Sequence, residues 1–150
     1  MGKIVAVDYG SRRIGLALGE PTLGVAMPWR TIEASGRPAD DAELVWRELA
    51  ASGEEIDAIV LGLPLNMDGS EGPQAKLTRR FGEALSRVGG LDVQYWDERL
   101  SSFDAEQRYH VPEKSTSKRS RPPRKPRRPL DAVAAAVILE AYLRHRQGNT

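Results

Sequence analysis

Lys3-Ile-Val-Ala-Val-Asp8-Tyr-Gly10 is the stretch around which the chain is organised. Ile4, Val5, Ala6 and Val7 form a nearly continuous apolar run rich in β-branched residues. Such a run belongs to a strand buried on both faces rather than to one with a wet face. It stops on a carboxylate, Asp8, and Gly10, Ser11 and Arg12 then make a tight connection to a second apolar stretch, Ile14-Gly-Leu-Ala-Leu18. A carboxylate at the end of a central buried strand is costly unless something pairs with it. Asp8 is therefore either hydrogen-bonded into its own turn or a metal-binding or catalytic group.

Working outward, the first strand (about 3–8) and a second (about 13–18) read as a hairpin, and Gly24–Ile32 as a third strand that Pro28 pushes toward an edge or a bulge. Pro38 with Asp40 and Asp41 marks a helix start, because acidic residues favour the positive end of the helix dipole. Leu44, Val45 and Leu49 give that helix its apolar face and Gly53 ends it. Ile56–Leu61 is a fourth, central strand, followed by a loop of turn formers through Gly72. Pro73 opens the next helix, with Leu77, Phe81 and Leu85 facing the core and Gly89 and Gly90 closing it. Leu91–Trp96 alternates enough to lie near a sheet edge. Ser101 and Asp104 form a weak capping-box pattern for a short helix through about His110. The last helix runs from Leu130 to about Arg146, with Ala134, Val137, Ile138 and Ala141 on its buried side. A hairpin-linked trio of strands followed by helix crossovers implies an α/β fold, a five-stranded mixed sheet with helices packed on it.

The 150 residues fit one domain that needs no covalent staple, and with no cysteine there is neither a disulfide framework nor a thiolate zinc site. A cytoplasmic location is the default, since there is no signal-peptide pattern and no apolar run of membrane-spanning length. Charge is unevenly placed. Of 22 Lys and Arg residues, eight lie between Lys114 and Arg128 with no acid among them; the other 14 face 21 acids. Pro122, Pro123, Pro126 and Pro129 keep that basic stretch from regular structure, so about 113–128 reads as a flexible segment. An acidic body with one dense basic segment points to a localised polyanion contact.

Three acids share a positional logic. Asp8 ends the first strand, Glu98 lies just past the fifth, and Asp131 is in the first turn of the last helix. Right-handed crossovers place strand four beside strand one and strand five beside four, so these ends can converge at one sheet edge. Carboxylates without cysteine or a histidine pair select hard cations, Mg²⁺ or Mn²⁺, over zinc. Each acid also has an ordinary reading: Asp131 can cap its helix, and Glu98 can pair with Arg99 or Arg13. Asp97 should point away from Glu98. His110 and His145 read as solvated or locally satisfied.

Four stretches then occur in order: Asp8-Tyr-Gly-Ser-Arg-Arg-Ile-Gly-Leu-Ala, Gly62-Leu-Pro-Leu-Asn-Met-Asp-Gly, Asp97-Glu-Arg-Leu-Ser-Ser, and Leu130-Asp-Ala-Val-Ala-Ala-Ala. Together they closely resemble the YqgF/RuvX family of RNase H-like nucleases, described as pre-16S rRNA processing nucleases or Holliday junction resolvases. The resemblance spans nearly the whole chain, although the basic segment is longer and richer in proline than the family pattern. It implies an RNase H-like fold and a two-metal phosphodiesterase in which Asp8, Glu98 and Asp131 bind Mg²⁺ or Mn²⁺. Two ions roughly 4 Å apart can activate a water and neutralise the leaving alkoxide, so no side chain need act as general base. Arg12 and Arg13 near Asp8, with Lys118, Arg119, Arg121, Arg124 and Lys125 in the basic segment, are the candidate phosphate contacts. The loop at Leu63–Gly72, with Asn66 and Asp68, either borders the site or reports turn geometry alone.

A different class of reading is a catalytically silent RNase H-like module that binds nucleic acid; three intact acids argue against it. The strand-Asp-x-Gly hairpin also resembles that of actin-like and sugar-kinase ATPases, but those need two such domains, and a Walker A loop is absent. Structured RNA and branched DNA both stay open as substrates, as do a monomer and a homodimer.

Overall fold

The computed structural model describes residues 2–100 and 129–148. Five strands, β1 (Lys3–Tyr9), β2 (Arg13–Glu20), β3 (Val25–Glu33), β4 (Ile56–Leu63) and β5 (Asp92–Asp97), form one mixed sheet in the order β3-β2-β1-β4-β5. β1 pairs antiparallel with β2 and parallel with β4, β2 pairs antiparallel with β3, and β4 parallel with β5. The central position of β1 accounts for its unbroken apolar run. Val5 and Val7 belong to the core under α1 (Pro38–Ala51) and α2 (Pro73–Gly89), and Ile4 and Ala6 to the core under α3 (Pro129–Gly148). With side chains alternating along a strand, Asp8 follows Ile4 and Ala6 onto the α3 face.

β3 is an edge strand, and its register against β2 shifts between Leu16, opposite Arg30, and Ala17, opposite Pro28. That leaves Trp29 as the extra residue of a bulge beside the proline, where a strand tolerates the missing donor. β5 forms the other edge.

α1 begins with proline in its first turn, and Asp40 and Asp41 sit there as well. Asp41 does more than meet the helix dipole. It is fully buried and accepts hydrogen bonds from the backbone N–H of Ser35 (2.7 Å) and Gly36 (3.2 Å) and from the Tyr9 hydroxyl (2.6 Å). α2 ends on Gly90 in the left-handed region at φ 68°, a conformation that costs glycine little. The expected faces of these helices need small corrections. Ala42 joins Val45 and Leu49 in the core while Leu44 is half-buried, and in α2 Leu77 is half-buried beside fully buried Phe81 and Leu85.

α3 differs more. Ala132, Ala135, Ala136, Leu139 and Leu143 are buried along with the expected Val137, Ile138 and Ala141, whereas Ala134 is only half-buried. Its apolar residues run almost around the helix, so periodicity alone does not select one face. No helix among the described residues is long and apolar enough to cross a membrane. The expected short helix through His110 and the basic segment lie outside the described residues.

Candidate active site

One row of residues across the sheet sets the geometry. Asp8 of β1 is paired with Gly15 of β2. On its other side Asp8 lies one step beyond the Val7–Leu61 pair, level with Gly62 of β4, and Gly62 is paired with Trp96 of β5. Asp8 is thus flanked on both neighbouring strands by a residue with no Cβ. Each gap is filled from above. The first turn of α3 rests on Gly15, where an added Cβ would overlap the Asp131 carbonyl. At Gly62 an added Cβ would lie 2.6 Å from Glu98 Oε2 and 2.7 Å from Ile138 Cδ1. The glycines let one acid descend from the helix and another fold back from the 3₁₀ turn Glu98–Leu100 that follows β5.

Crowding shows in the electrostatics. Asp8 and Glu98 share a side-chain hydrogen bond. Burial, then the charge of Asp131, pushes the Asp8 carboxyl up to about 6, and the hydrogen bond from Glu98 partly opposes this. Burial, then the charge of Asp8 and the shared bond, pushes Glu98 up to about 7. Two carboxyls holding a proton between them near neutral pH form a site short of positive charge. Among the described residues Asp131 Oδ2 is buried with no hydrogen-bond partner, and Arg13 Nε stands 3.9 Å away, beyond hydrogen-bond reach.

Among the described residues no group of three or more His, Cys, Asp or Glu side chains is gathered closely enough to hold a metal ion. The donor chemistry nevertheless suits a hard divalent cation. It is all oxygen, two of the carboxyls are held toward their protonated forms by burial and crowding, and the third has a buried oxygen without a hydrogen-bond partner among the described residues. Asp8, Glu98 and Asp131 are the residues that would hold it.

Asp97 points away from this cluster, as expected. It takes a bidentate ion pair from Arg99, with Arg99 Nη2 2.7 Å from Asp97 Oδ2. Arg13 is half-buried beside Asp131, whereas Arg12 is exposed in the hairpin, its carbonyl accepting from the Ala34 N–H at 2.8 Å. In the loop after β4, Asn66 and Asp68 close the turn. The Gly69 N–H donates to the Asn66 carbonyl (2.8 Å), Asn66 Nδ2 to Ser70 Oγ (2.9 Å), and the Ser70 N–H to Asp68 Oδ1 (2.9 Å). His145 packs its ring on Trp96 at 5.6 Å. His110, Lys118, Arg119, Arg121, Arg124 and Lys125 lie outside the described residues.

Sequence reading overlooked the glycines. Their signal was present, since a glycine inside a strand often marks a close approach by another group. It also overlooked the support behind Asp8. Gln74 Nε2, in the first turn of α2, donates to the Tyr9 carbonyl at 2.9 Å, and the Tyr9 ring stacks on Phe81 at 4.2 Å. Burial and the bond to Asp41 push the Tyr9 hydroxyl well above the usual phenol range. The residue after Asp8 is thereby held from α1 and α2 together.

Known proteins resemble the chain at two levels. Residues 2–145 match the family described as "RuvX: Holliday junction resolvase". A relative in Anaeromyxobacter sp. (strain Fw109-5), named as a candidate pre-16S rRNA nuclease, is 41% identical over 141 residues, covering 94% of this chain and 96% of its own. One of the same name in Halothermothrix orenii is 35% identical over 144 residues, 96% of each chain. Among solved structures, T. thermophilus RuvC in complex with Holliday junction substrate superposes with a TM-score of 0.51 at 14% identity, covering 99% of this chain and 97% of that one. At that identity the likeness concerns the fold, which is RNase H-like.

Proposed function

The chain belongs to the RuvX family, and from that premise we propose that it is a two-metal-ion nuclease that hydrolyses phosphodiester bonds in structured nucleic acid. The observation that carries the reading is the acid cluster itself: Asp8 and Glu98 joined by a hydrogen bond, beside Asp131, whose buried Oδ2 has no hydrogen-bond partner among the described residues. Natural proteins rarely crowd carboxyls together against burial and like charge unless they serve a site. When bound there, Mg²⁺ or Mn²⁺ would supply an activated water and charge for the leaving oxygen.

The chain's own groups do the rest. Asp8 presents its carboxylate from a central strand, and Glu98 folds back over Gly62 from the 3₁₀ turn to meet it. Arg13, half-buried beside Asp131, can turn its guanidinium to a substrate phosphate. The names of the relatives favour pre-16S rRNA as substrate, cut at its 5′ end on this proposal, and the family description favours Holliday junctions. A soluble cytoplasmic enzyme, monomer or homodimer, serves either.

Cleavage of labelled precursor rRNA and of a four-way DNA junction, each with Mg²⁺, Mn²⁺ or EDTA, tests the proposal. Metal-dependent cuts in one substrate support it and name the substrate. Tight binding to both without cleavage would leave a silent binding module in its place.

The segment Lys114–Arg128 is proposed to steer the polyanion toward the acids, because it concentrates positive charge on an otherwise acidic chain and directly precedes α3. Replacing Arg119, Arg121, Arg124 and Lys125 with serine should flatten the log–log salt dependence of binding by about 0.7–0.9 per lost phosphate contact. Cleavage at saturating substrate should change much less.

A further inference from the structure

Arg99 joins the ends of two strands at the candidate site. Its Nε lies 3.0 and 3.1 Å from the two oxygens of Asp97, and Nη2 lies 2.7 Å from Oδ2. The remaining arm crosses to the loop after β4, where Nη1 donates to the Met67 carbonyl at 3.0 Å and reaches the Asn66 carbonyl at 3.5 Å. Glu98 is the residue between the two ends of this fork. The loop that the fork grips leaves β4 just past Gly62, the position on which the Glu98 carboxylate lies. The contacts close a ring: Gly62, the loop, Arg99, Glu98 and back to Gly62.

The loop is closed by its own contacts. The Asn66 N–H donates to the Ser70 carbonyl at 2.9 Å, Leu65 and Glu71 form a β-bridge, and Glu71 is held by Arg79 Nη2 at 2.6 Å. What Arg99 adds is attachment of that loop to the turn bearing Glu98. Stability is a weak reason for the arrangement, because the Arg99 side chain is 39% exposed and such pairs contribute little to folding. Only a planar fork can meet a carboxylate with two bonds on one edge and a carbonyl on the other.

We infer that Arg99 is a positioning residue: it locks the Glu98 turn to the Asn66–Gly69 loop and so keeps the Glu98 carboxylate against Asp8, where a cation would be held. The inference rests on the nuclease reading, and its test separates the two. In full-length Arg99→Ala and Arg99→Lys, the backbone amides of Asn66 and Gly69, which donate within the loop to the Ser70 and Asn66 carbonyls, should exchange faster in the metal-free protein, a readout independent of metal and substrate. Mn²⁺ affinity by calorimetry and kcat should each fall about 10–100-fold, the range for losing a group that orients a metal ligand, with KM changed much less. Asp97→Asn, which weakens the same fork from its other side, should reproduce the exchange change and part of the kcat loss.

Unchanged amide exchange in Arg99→Ala would overturn the inference, as would unchanged Mn²⁺ affinity and kcat. So would a rise in KM with a salt slope flattened by about one phosphate contact, since Arg99 would then touch substrate directly. If wild-type protein neither binds Mn²⁺ nor cleaves, the nuclease reading fails instead, whatever the exchange shows.

Discussion

On the face covered by α1 and α2, the sheet meets bulk: Phe81, Leu49, Leu85, Ile14, Leu16, Ile59 and Leu61 are all fully buried there. On the face covered by α3 small residues mix with large ones: Ala135 and Ala136 of the helix share a core with Ala6 and Ala17 of the strands, beside Ile4, Val60, Ile138, Leu139 and Leu143. Gly15 and Gly19 add two further positions without a Cβ, and a Cβ at Gly19 would lie 2.7 Å from Leu139 Cδ2. Large side chains bury more apolar area and stabilise more. Small ones let backbones approach closely. The first face therefore carries most of the folding free energy. The second forgoes some of it for proximity, which brings the α3 N-terminus to the Asp8 row. On the proposed assignment, stability and chemistry lie on opposite sides of one sheet, and variants on each side should separate them.

The largest expected effect is at the acids. Asp8→Asn, Glu98→Gln and Asp131→Asn each keep shape and remove charge. Each should reduce Mg²⁺-dependent cleavage on the order of 10³-fold or more, about 4 kcal/mol of transition-state stabilisation. Groups that act as a unit do not add, so double variants should be little worse than single ones. Single-turnover cleavage in metal-purified buffers measures this, and near-wild-type rates in all three would refute the assignment.

Leu49→Ala makes the opposite cut. Emptying a fully buried site on the α1 face should cost about 2–5 kcal/mol in urea unfolding, with Mn²⁺ affinity of the folded protein unchanged. A matching loss of metal affinity would mean that the two faces are not separable.

The same division governs how far the sequence could be read. Element order, sheet order and the edge position of β3 followed from patterns local to each segment, such as the run Ile4–Val7 and the proline at 28. The pairing of Asp97 away from Glu98 followed from strand alternation. What stayed illegible depends on contacts distant in sequence. Gly15 and Gly62 look like ordinary strand glycines until α3 and the 3₁₀ turn are placed over them. Asp41 looks like a dipole residue until Tyr9 reaches it. α3 hid its face because alanines are apolar all round.

A smaller effect concerns pH. Asp8 and Glu98 are raised from ordinary values of 3.8 and 4.5 to about 6 and about 7. The folded protein thus holds protons that the unfolded chain has released. Their contribution is fully present below about pH 4 and is lost as pH rises through about 6 and 7. Metal-free protein should lose on the order of 2–3 kcal/mol across that window, from about 1.4 kcal/mol for each tenfold change in proton affinity and one shared proton. Asp8→Asn should flatten the loss. Urea midpoints in EDTA at pH 5 and pH 8 would show it, and equal midpoints for the wild type would contradict the crowding.

The smallest effect on folding, and the finest test of the comparison, is Gly62→Ala. The added Cβ meets Glu98 Oε2 at 2.6 Å and Ile138 Cδ1 at 2.7 Å, both far ends of flexible side chains. They can move aside, so the stability cost should be about 1 kcal/mol, the low end for overpacking. At Gly15 the same substitution meets the Asp131 backbone, which cannot yield without shifting α3, and it should cost more. Glu98 cannot yield at Gly62 without leaving Asp8. Mn²⁺ affinity should therefore fall about tenfold, as it does when a ligand loses its support. In a Glu98→Gln background Gly62→Ala should cost no further affinity, because the group it displaces no longer binds the ion. An undiminished loss in that background would mean that the methyl acts through general packing. The close approach at Gly62 would then serve the core and not the site.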